Sequence, residues 1–312
     1  MSRRVSVSPV GDLSDQVHVV TGGTGGLGYW AAEQLAAAGA TVVIAARSDQ
    51  KGEAALRSVR SHVPGASARF LHLDLTDPIS IARAADALSR LPRIDSLLAN
   101  AGILSTGGRT VTPSGVETMI GTNLLGHAAL IAGLLPALSE HPAARIVHLG
   151  SISHEFFRLD LGDLQSESGR FREFRSYGRS KLAVMTYAFE LDRRLRASGS
   201  RVSSLVAHPG WAVDELAPAR SILPRPKTGN ALTRSVLSLI GQGKDHGAWP
   251  LVAAAAHPDA AGGQYWGPDG WRQLKGRPAV VAAKPYTRDR ETALALWQEV
   301  ERLTGVEHGL PA

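Results

Sequence analysis

Cysteine is absent from this 312-residue chain. The chain therefore holds no disulfide, no thiolate nucleophile and no cysteine-ligated zinc, and it fits a reducing, cytoplasmic setting. Long apolar runs are also missing: glycine, proline or a charge interrupts each one before the roughly 20 residues that a membrane span needs. A soluble protein with no membrane span is expected. The arginine pair Arg3–Arg4 is followed by no apolar segment of an export signal, so residues 1–12 read as a flexible leader. The chain has eleven histidines, but His141, His148, His154, His208 and His246 match neither H-E-x-x-H nor a compact ligand pair, and no metal is expected. No G-x-S-x-G elbow occurs, which excludes that class of α/β serine hydrolase. The net charge of +6 is spread among nearby acids, as in "ELDRRLRASGSR", and forms no basic stripe for nucleic acid.

Hydrophobic residues make up 44% of the chain, enough for one large domain, taken as residues 13–312. "VHVVTGGTGGLGYWAAEQLAAAGA" (17–40) is an apolar run, a glycine cluster and an alanine-rich helix former in succession. It predicts a strand, a tight turn and a helix N-terminus aimed at a phosphate. The glycines fit G-x-G-x-x-G (Gly23, Gly25, Gly28), T-G-x-x-G-x-x-G and T-G-x-x-x-G-x-G alike, so they cannot choose among nucleotide-binding variants. "TVVIAAR", "ARFLHLDL", "DSLLAN", "ARIVHLGS" and "RVSSLVAHPG" read as further strands separated by helix-length segments. Their continuous apolar character predicts burial on both faces. The expected class is α/β: a single Rossmann-type doubly wound parallel sheet with helices on both faces. A substrate loop at about 211–230 and a C-terminal helix at about 288–303, with Leu294, Trp297 and Val300 as core, complete the expectation.

"YGRSK" places Tyr177 and Lys181 four residues apart on a helix predicted from about Ser176 to Ala197, hence on one face. A phenol near pKa 10 needs roughly 4 kcal/mol of differential stabilisation to work near pH 7. A buried lysine and a cationic nicotinamide ring together could supply it. Ser151 ends one predicted strand, Asn100–Gly102 end another, and Asn123 lies within a helix. With T-G-x-x-x-G-x-G at Thr21, Gly22, Gly26 and Gly28, then Asp74, Asn100-Ala101-Gly102, Asn123, Ser151, Tyr177, Lys181, Pro209 and Gly210 in that order, the chain resembles the short-chain dehydrogenase/reductase family from about Leu13 to beyond Trp266. It looks most like the retinol-dehydrogenase-like group of the classical branch. The resemblance implies an oxidoreductase that interconverts carbonyl and alcohol. Tyr177 would exchange the proton, Lys181 would lower its pKa and hold the nicotinamide ribose, Ser151 would orient the carbonyl and Asn123 would support a water relay. Cofactor contacts are implied for Thr21, Gly22, Thr24, Gly26, Leu27, Gly28, Asp74, Leu75, Asn100, Ala101, Gly102, Tyr177, Lys181, Pro209 and Gly210.

The chain departs from the family pattern at "HPGWAVDEL", where Asp214 replaces a common threonine. Asp214 would accept a hydrogen bond from the nicotinamide carboxamide or cap the next helix. The second strand ends in Arg47 and Ser48 where an NAD enzyme carries an acid, so NADP(H) is expected over NAD(H). Phe156, Phe157, Phe171 and Phe174, four of the six phenylalanines, crowd the stretch between Ser151 and Tyr177, and Trp211 follows the Pro-Gly turn. They predict either a wall for a bulky apolar substrate or anchors for the loop. A nucleotide sensor of the same fold, without turnover, is the alternative from another class. A homo-oligomer is compatible with all of this.

Overall fold

Side chains alternate across each short strand and divide the apolar residues between two faces. The computed structural model describes residues 10–141, 143–223 and 231–312; most of the 1–12 leader and the last part of the 211–230 loop lie outside the described residues. The strands are β1 (Val17–Thr21), β2 (Thr41–Ala46), β3 (Ala68–His72), β4 (Ser96–Ala99), β5 (Arg145–Leu149), β6 (Ser203–Ala207), β7 (Ala212–Val213), β8 (Gln242–Gly243), β9 (Tyr265–Pro268) and β10 (Pro278–Val280). Eight of them form one sheet in the order β10-β9-β6-β5-β4-β1-β2-β3. All pairings are parallel except β10 on β9. The expected parallel sheet thus gains an antiparallel edge strand, which the short "PAV" segment did not announce. β7 and β8 form a separate two-stranded parallel ribbon.

The helices are α1 (Gly26–Ala37), α2 (Asp49–His62), α3 (Pro78–Ser89), α4 (Thr118–Ser139), α5 (Glu173–Ala197), α6 (Ala231–Ile240), α7 (Lys244–Gly247), α8 (Trp249–Ala256) and α9 (Arg290–Thr304). Val17, Val19, Val43, Leu97 and Ile146 pack against α3, α4, α5 and α9 on one face of the sheet. Val20, Val42, Ile44, Leu98 and Val147 pack against α1, α2 and α8 on the other. Both faces are covered, so strand sequences read as nearly continuous apolar runs. β3 is the exception, because it lies at the sheet edge and leaves Arg69 and His72 exposed.

Two expectations are corrected at this level. α4 runs for 22 residues with a mean hydropathy of 1.4 over its most apolar stretch, which is long and apolar enough to cross a membrane, although Gly126, Gly133 and Pro136 interrupt it. Some 72% of that stretch is buried in the protein, as for a core helix. In α9 the inward residues are Ala293, Leu296, Trp297 and Val300, whereas Leu294 is 37% exposed. A spacing of three and four residues, rather than three throughout, follows the helical face.

Candidate active site

The parallel strands β1 to β5 all deliver their C-terminal ends to one edge of the sheet. β1 is flanked by β2 and β4, so the chain leaves it in opposite directions, and such a reversal opens a crevice in doubly wound sheets. A cleft of about 410 Å³ lies there. It is lined by Thr21, Gly22, Thr24, Gly26, Leu27 and Gly28 after β1, by Arg47 after β2, by Asp74 and Leu75 after β3, and by Asn100, Ala101 and Gly102 after β4, all twelve named from the sequence.

Backbone proximity explains the glycines that shape the turn. Gly22 has φ +68°, and a Cβ there would come within 2.9 Å of the Ala101 Cα. A Cβ on Gly28 would collide with the Asn100 amide. Asn100 is held beneath the turn by donating from Nδ2 to the Thr21 carbonyl at 2.8 Å, and its backbone N–H donates to Thr21 Oγ1 at 3.0 Å. α1 begins at the uncapped Gly25, with no side-chain acceptor and no acid in its first turn. Its leading N–H groups and the positive end of its dipole therefore face the cleft without an anion of the protein's own. A dinucleotide phosphate fits that donor set.

Beyond the cleft, Ser151, Tyr177, Lys181 and Asn123 converge. α5 begins at Glu173, three residues before the expected start, and carries Tyr177 and Lys181 on one face. Ser151 stands two residues past β5, beside the Tyr177 phenol, and its hydroxyl acts to lower the phenol's pKa. Lys181 is 98% buried, lies 5.9 Å from the centroid of the Tyr177 ring, and donates from Nζ to the Leu149 carbonyl at 2.9 Å. Burial lowers its ammonium from 10.5 to about 8. Burial also raises the Tyr177 phenol above its ordinary value, and only the Ser151 hydroxyl opposes this. The lowering expected of Lys181 belongs to the loaded site, where the positive ring of an oxidised nicotinamide would add to the buried ammonium.

Asn123 occupies a π-helical turn within α4, Gly121–Leu125, an irregularity that frequently marks functional sites. Its side chain accepts from the Ile103 N–H at 2.8 Å and donates to Ser180 Oγ at 2.8 Å, tying the loop after β4 to α5. A Cβ on Gly102 would lie 3.1 Å from Asn123 Oδ1 and 3.3 Å from Lys181 Nζ, so the absence of a side chain at Gly102 leaves room for both. His127 bridges the two halves of the site, with Nε2 at 2.8 Å from Thr21 Oγ1 and Nδ1 at 3.2 Å from the Asn123 carbonyl. The sequence offered no signal for it.

Four residues expected to contact the cofactor are placed outside the cleft lining. Ser48 caps α2, accepting from the Lys51 N–H, because the chain turns away from the cleft after Arg47. Pro209 and Gly210 lie past β6 outside the cleft lining; the Pro209 carbonyl accepts from Gln242 Nε2 at 2.9 Å and Gly210 turns at φ +65° against Leu274. Asp214 caps no helix, and its carboxylate instead pairs with Lys244 at 2.6 Å. Lys244 lines the cleft and was missed, since nothing in its local sequence places it beside the glycines.

The match to known proteins agrees with this geometry. The family model described as short chain dehydrogenase matches residues 16–162. Mouse polyprenol dehydrogenase is 36% identical over 304 residues, covering 94% of this chain and 85% of that protein. Human retinol dehydrogenase 13 is 32% identical over 292 residues, covering 93% and 84%. The crystal structure of an uncharacterised protein from Mycobacterium paratuberculosis superposes with a TM-score of 0.78 at 34% identity, covering 96% of this chain and 97% of that one. With the parallel sheet, the glycine turn and the convergence at its edge, these likenesses establish that the chain belongs to the short-chain dehydrogenase/reductase family, among its retinol-dehydrogenase-like members, as an NAD(P)-dependent oxidoreductase of alcohols and carbonyls.

Proposed function

We propose that the protein uses NADP(H) to interconvert a carbonyl and an alcohol on an apolar organic substrate, with Tyr177 exchanging the proton. The observation that carries this reading is the placement of Tyr177 and the buried Lys181 on one face of α5, with Ser151 beside the phenol, at the edge of the sheet that the glycine cleft occupies. The nicotinamide, when bound, supplies or accepts the hydride. Ser151 donates to the substrate oxygen and sets its direction. Tyr177 gives that oxygen its proton in reduction and takes it back in oxidation. Lys181 holds the floor of the site through the Leu149 carbonyl, and its remaining ammonium protons would hold the nicotinamide ribose. The protonated phenol is the form that serves reduction and the phenolate the form that serves oxidation.

Arg47 supports the choice of cofactor. It is exposed at the cleft wall, and among the described residues it makes no ion pair, so its guanidinium is available to a ribose 2′-phosphate. The catalytic efficiency with NADPH is expected to exceed that with NADH by about 10- to 100-fold, as for a hydrogen bond to a charged group. Arg47→Asp is expected to remove most of that advantage while sparing NADH. Equal efficiencies in the wild type would defeat the assignment.

The substrate reading rests on the aromatic stretch before Tyr177. Phe157 packs over Gly178, where any Cβ would strike its ring, and meets Phe174 edge-on at 5.6 Å between centroids. It anchors the loop. Phe156 and Phe174 remain 64% and 57% exposed, and Trp211 38%. Their exposed rings are apolar surface that a bulky ketone, aldehyde or alcohol would cover. Across a homologous series of straight-chain aldehydes, kcat/KM is expected to rise by up to about fourfold per methylene, from about 0.8 kcal/mol for each buried CH₂. A flat series, or preference for a small charged keto acid, would make all four phenylalanines structural.

A further inference from the structure

One wall of the cleft is built by a segment remote in sequence from the glycine turn. β7 and β8 pair in parallel with Ala212 opposite Gln242 and Val213 opposite Gly243. The next residue on each strand is Asp214 on one and Lys244 on the other, so the register sets them side by side. Their side chains join at 2.6 Å. The ribbon is docked on the glycine helix: Gln34 of α1 donates to the Asp245 carbonyl at 2.7 Å, and Glu33 of α1 pairs with Arg220 at 2.6 Å. Gly247, closing α7, leaves no room for a Cβ against Ala212 and faces Leu27 of the turn. Lys244 is thereby brought over Gly26, where a Cβ would lie 3.9 Å from its Nζ.

A cation poised at the positive end of a helix is electrostatically unfavourable unless an anion lies between them. Asp214 meets the lysine but accepts nothing from the α1 N-terminus, whose donors have no side-chain cap. An ammonium has three donors, and Asp214 engages one.

Resting on the reading that a dinucleotide occupies the cleft, we propose that Lys244 donates to its pyrophosphate opposite the α1 N–H groups and that Asp214 positions the lysine for this contact. Asp214 is then a positioning residue acting through Lys244, which accounts for a carboxylate so close to an anion site. The pyrophosphate is common to both cofactors, so Lys244 contributes affinity without choosing between them, unlike Arg47.

Isothermal titration of the purified full chain with NADPH and with NADH tests this without turnover. Lys244→Met is expected to weaken both dinucleotides by the same factor, about tenfold or more, as for removal of a charge-assisted hydrogen bond. Lys244→Arg, which keeps the charge, is expected to stay within about threefold of wild type. Asp214→Ala is expected to weaken binding by less, and the double variant Lys244→Met, Asp214→Ala to bind no worse than Lys244→Met alone. Unchanged Kd values in Lys244→Met with the wild type binding normally would overturn the proposal and leave the dinucleotide reading standing. A loss confined to NADPH would overturn it too, by moving the lysine to the 2′-phosphate. Additive losses in the double variant would remove Asp214 from the device. A wild type that binds neither dinucleotide would overturn both readings. Unligated melting temperatures close to wild type, together with the arginine variant, separate lost binding from lost folding.

Discussion

Tyr177→Phe is expected to lower kcat for carbonyl reduction by about 10²- to 10⁴-fold, the usual value of a positioned general acid, while the Kd for NADPH stays close to wild type. The substitution keeps the aromatic ring, so packing of the partly buried side chain on α5 survives and only the proton donor is lost. Ser151 keeps its place through the N–H of Ser153, which donates to its hydroxyl at 3.1 Å, so the carbonyl can still be oriented. Because burial raises the phenol, wild-type reduction should be flat through neutral pH, while alcohol oxidation should climb with pH as the phenolate forms. Both trends should vanish in the Phe variant. Single-turnover kinetics with dinucleotide titrations on the same preparation separate chemistry from binding. If the Phe variant retains more than about a tenth of wild-type activity, another group carries the proton.

Below pH 6 the protein is expected to lose stability steeply. His18, His127, His148 and His208 are buried, and desolvation lowers them from 6.5 to about 4, 4, 3 and 3. Each folded-state pKa lies below the unfolded one. Their contribution is therefore full above pH 6.5 and is lost as pH falls through the interval down to the folded values, because the unfolded chain takes up protons that the native state refuses. At pH 4.5 each histidine costs about 2 kcal/mol or more, and the four together cost on the order of 10 kcal/mol, comparable with the whole stability of a domain. The geometry gives the same answer. His208 accepts from the Gly210 N–H at Nδ1 and donates from Nε2 to Gln273, so an added proton would break the first bond. His18 and His148 each bury an Nε2 that has no hydrogen-bond partner among the described residues. Glu117 and Asp192, raised by burial, act in the opposite sense, but they are two groups against four. Urea titrations monitored by circular dichroism between pH 7.5 and pH 4.5 are the check, with the denaturation midpoint falling sharply below about pH 6. A midpoint independent of pH over that range would mean that these imidazoles are solvated, contrary to their burial.

The strand runs, the glycine turn and the order of Asn123, Ser151, Tyr177 and Lys181 were legible in the chain because each is local. A short continuous apolar run marks a strand buried on both faces, a cluster of glycines marks a turn that side chains would block, and a spacing of four on a helix places two residues on one face. Arg47 at the end of its strand is of the same kind, and it does line the cleft. The antiparallel β10 was not legible, because three residues carry too little pattern to announce a strand. Nor was the fate of Ser48, Asp214 and Lys244. Whether a serine hydroxyl faces a cleft or caps a helix depends on where the backbone turns after it, and Asp214 met Lys244 only because β7 and β8 pair across a long excursion. His127 between Thr21 and Asn123 and Arg220 on Glu33 belong with them. The chain by itself determined the elements and the reactive groups that each one carries, since those follow from neighbours in sequence. Only the tertiary structure decided how those groups share their hydrogen bonds and charges, since desolvation and pairing arise between segments that the sequence keeps apart.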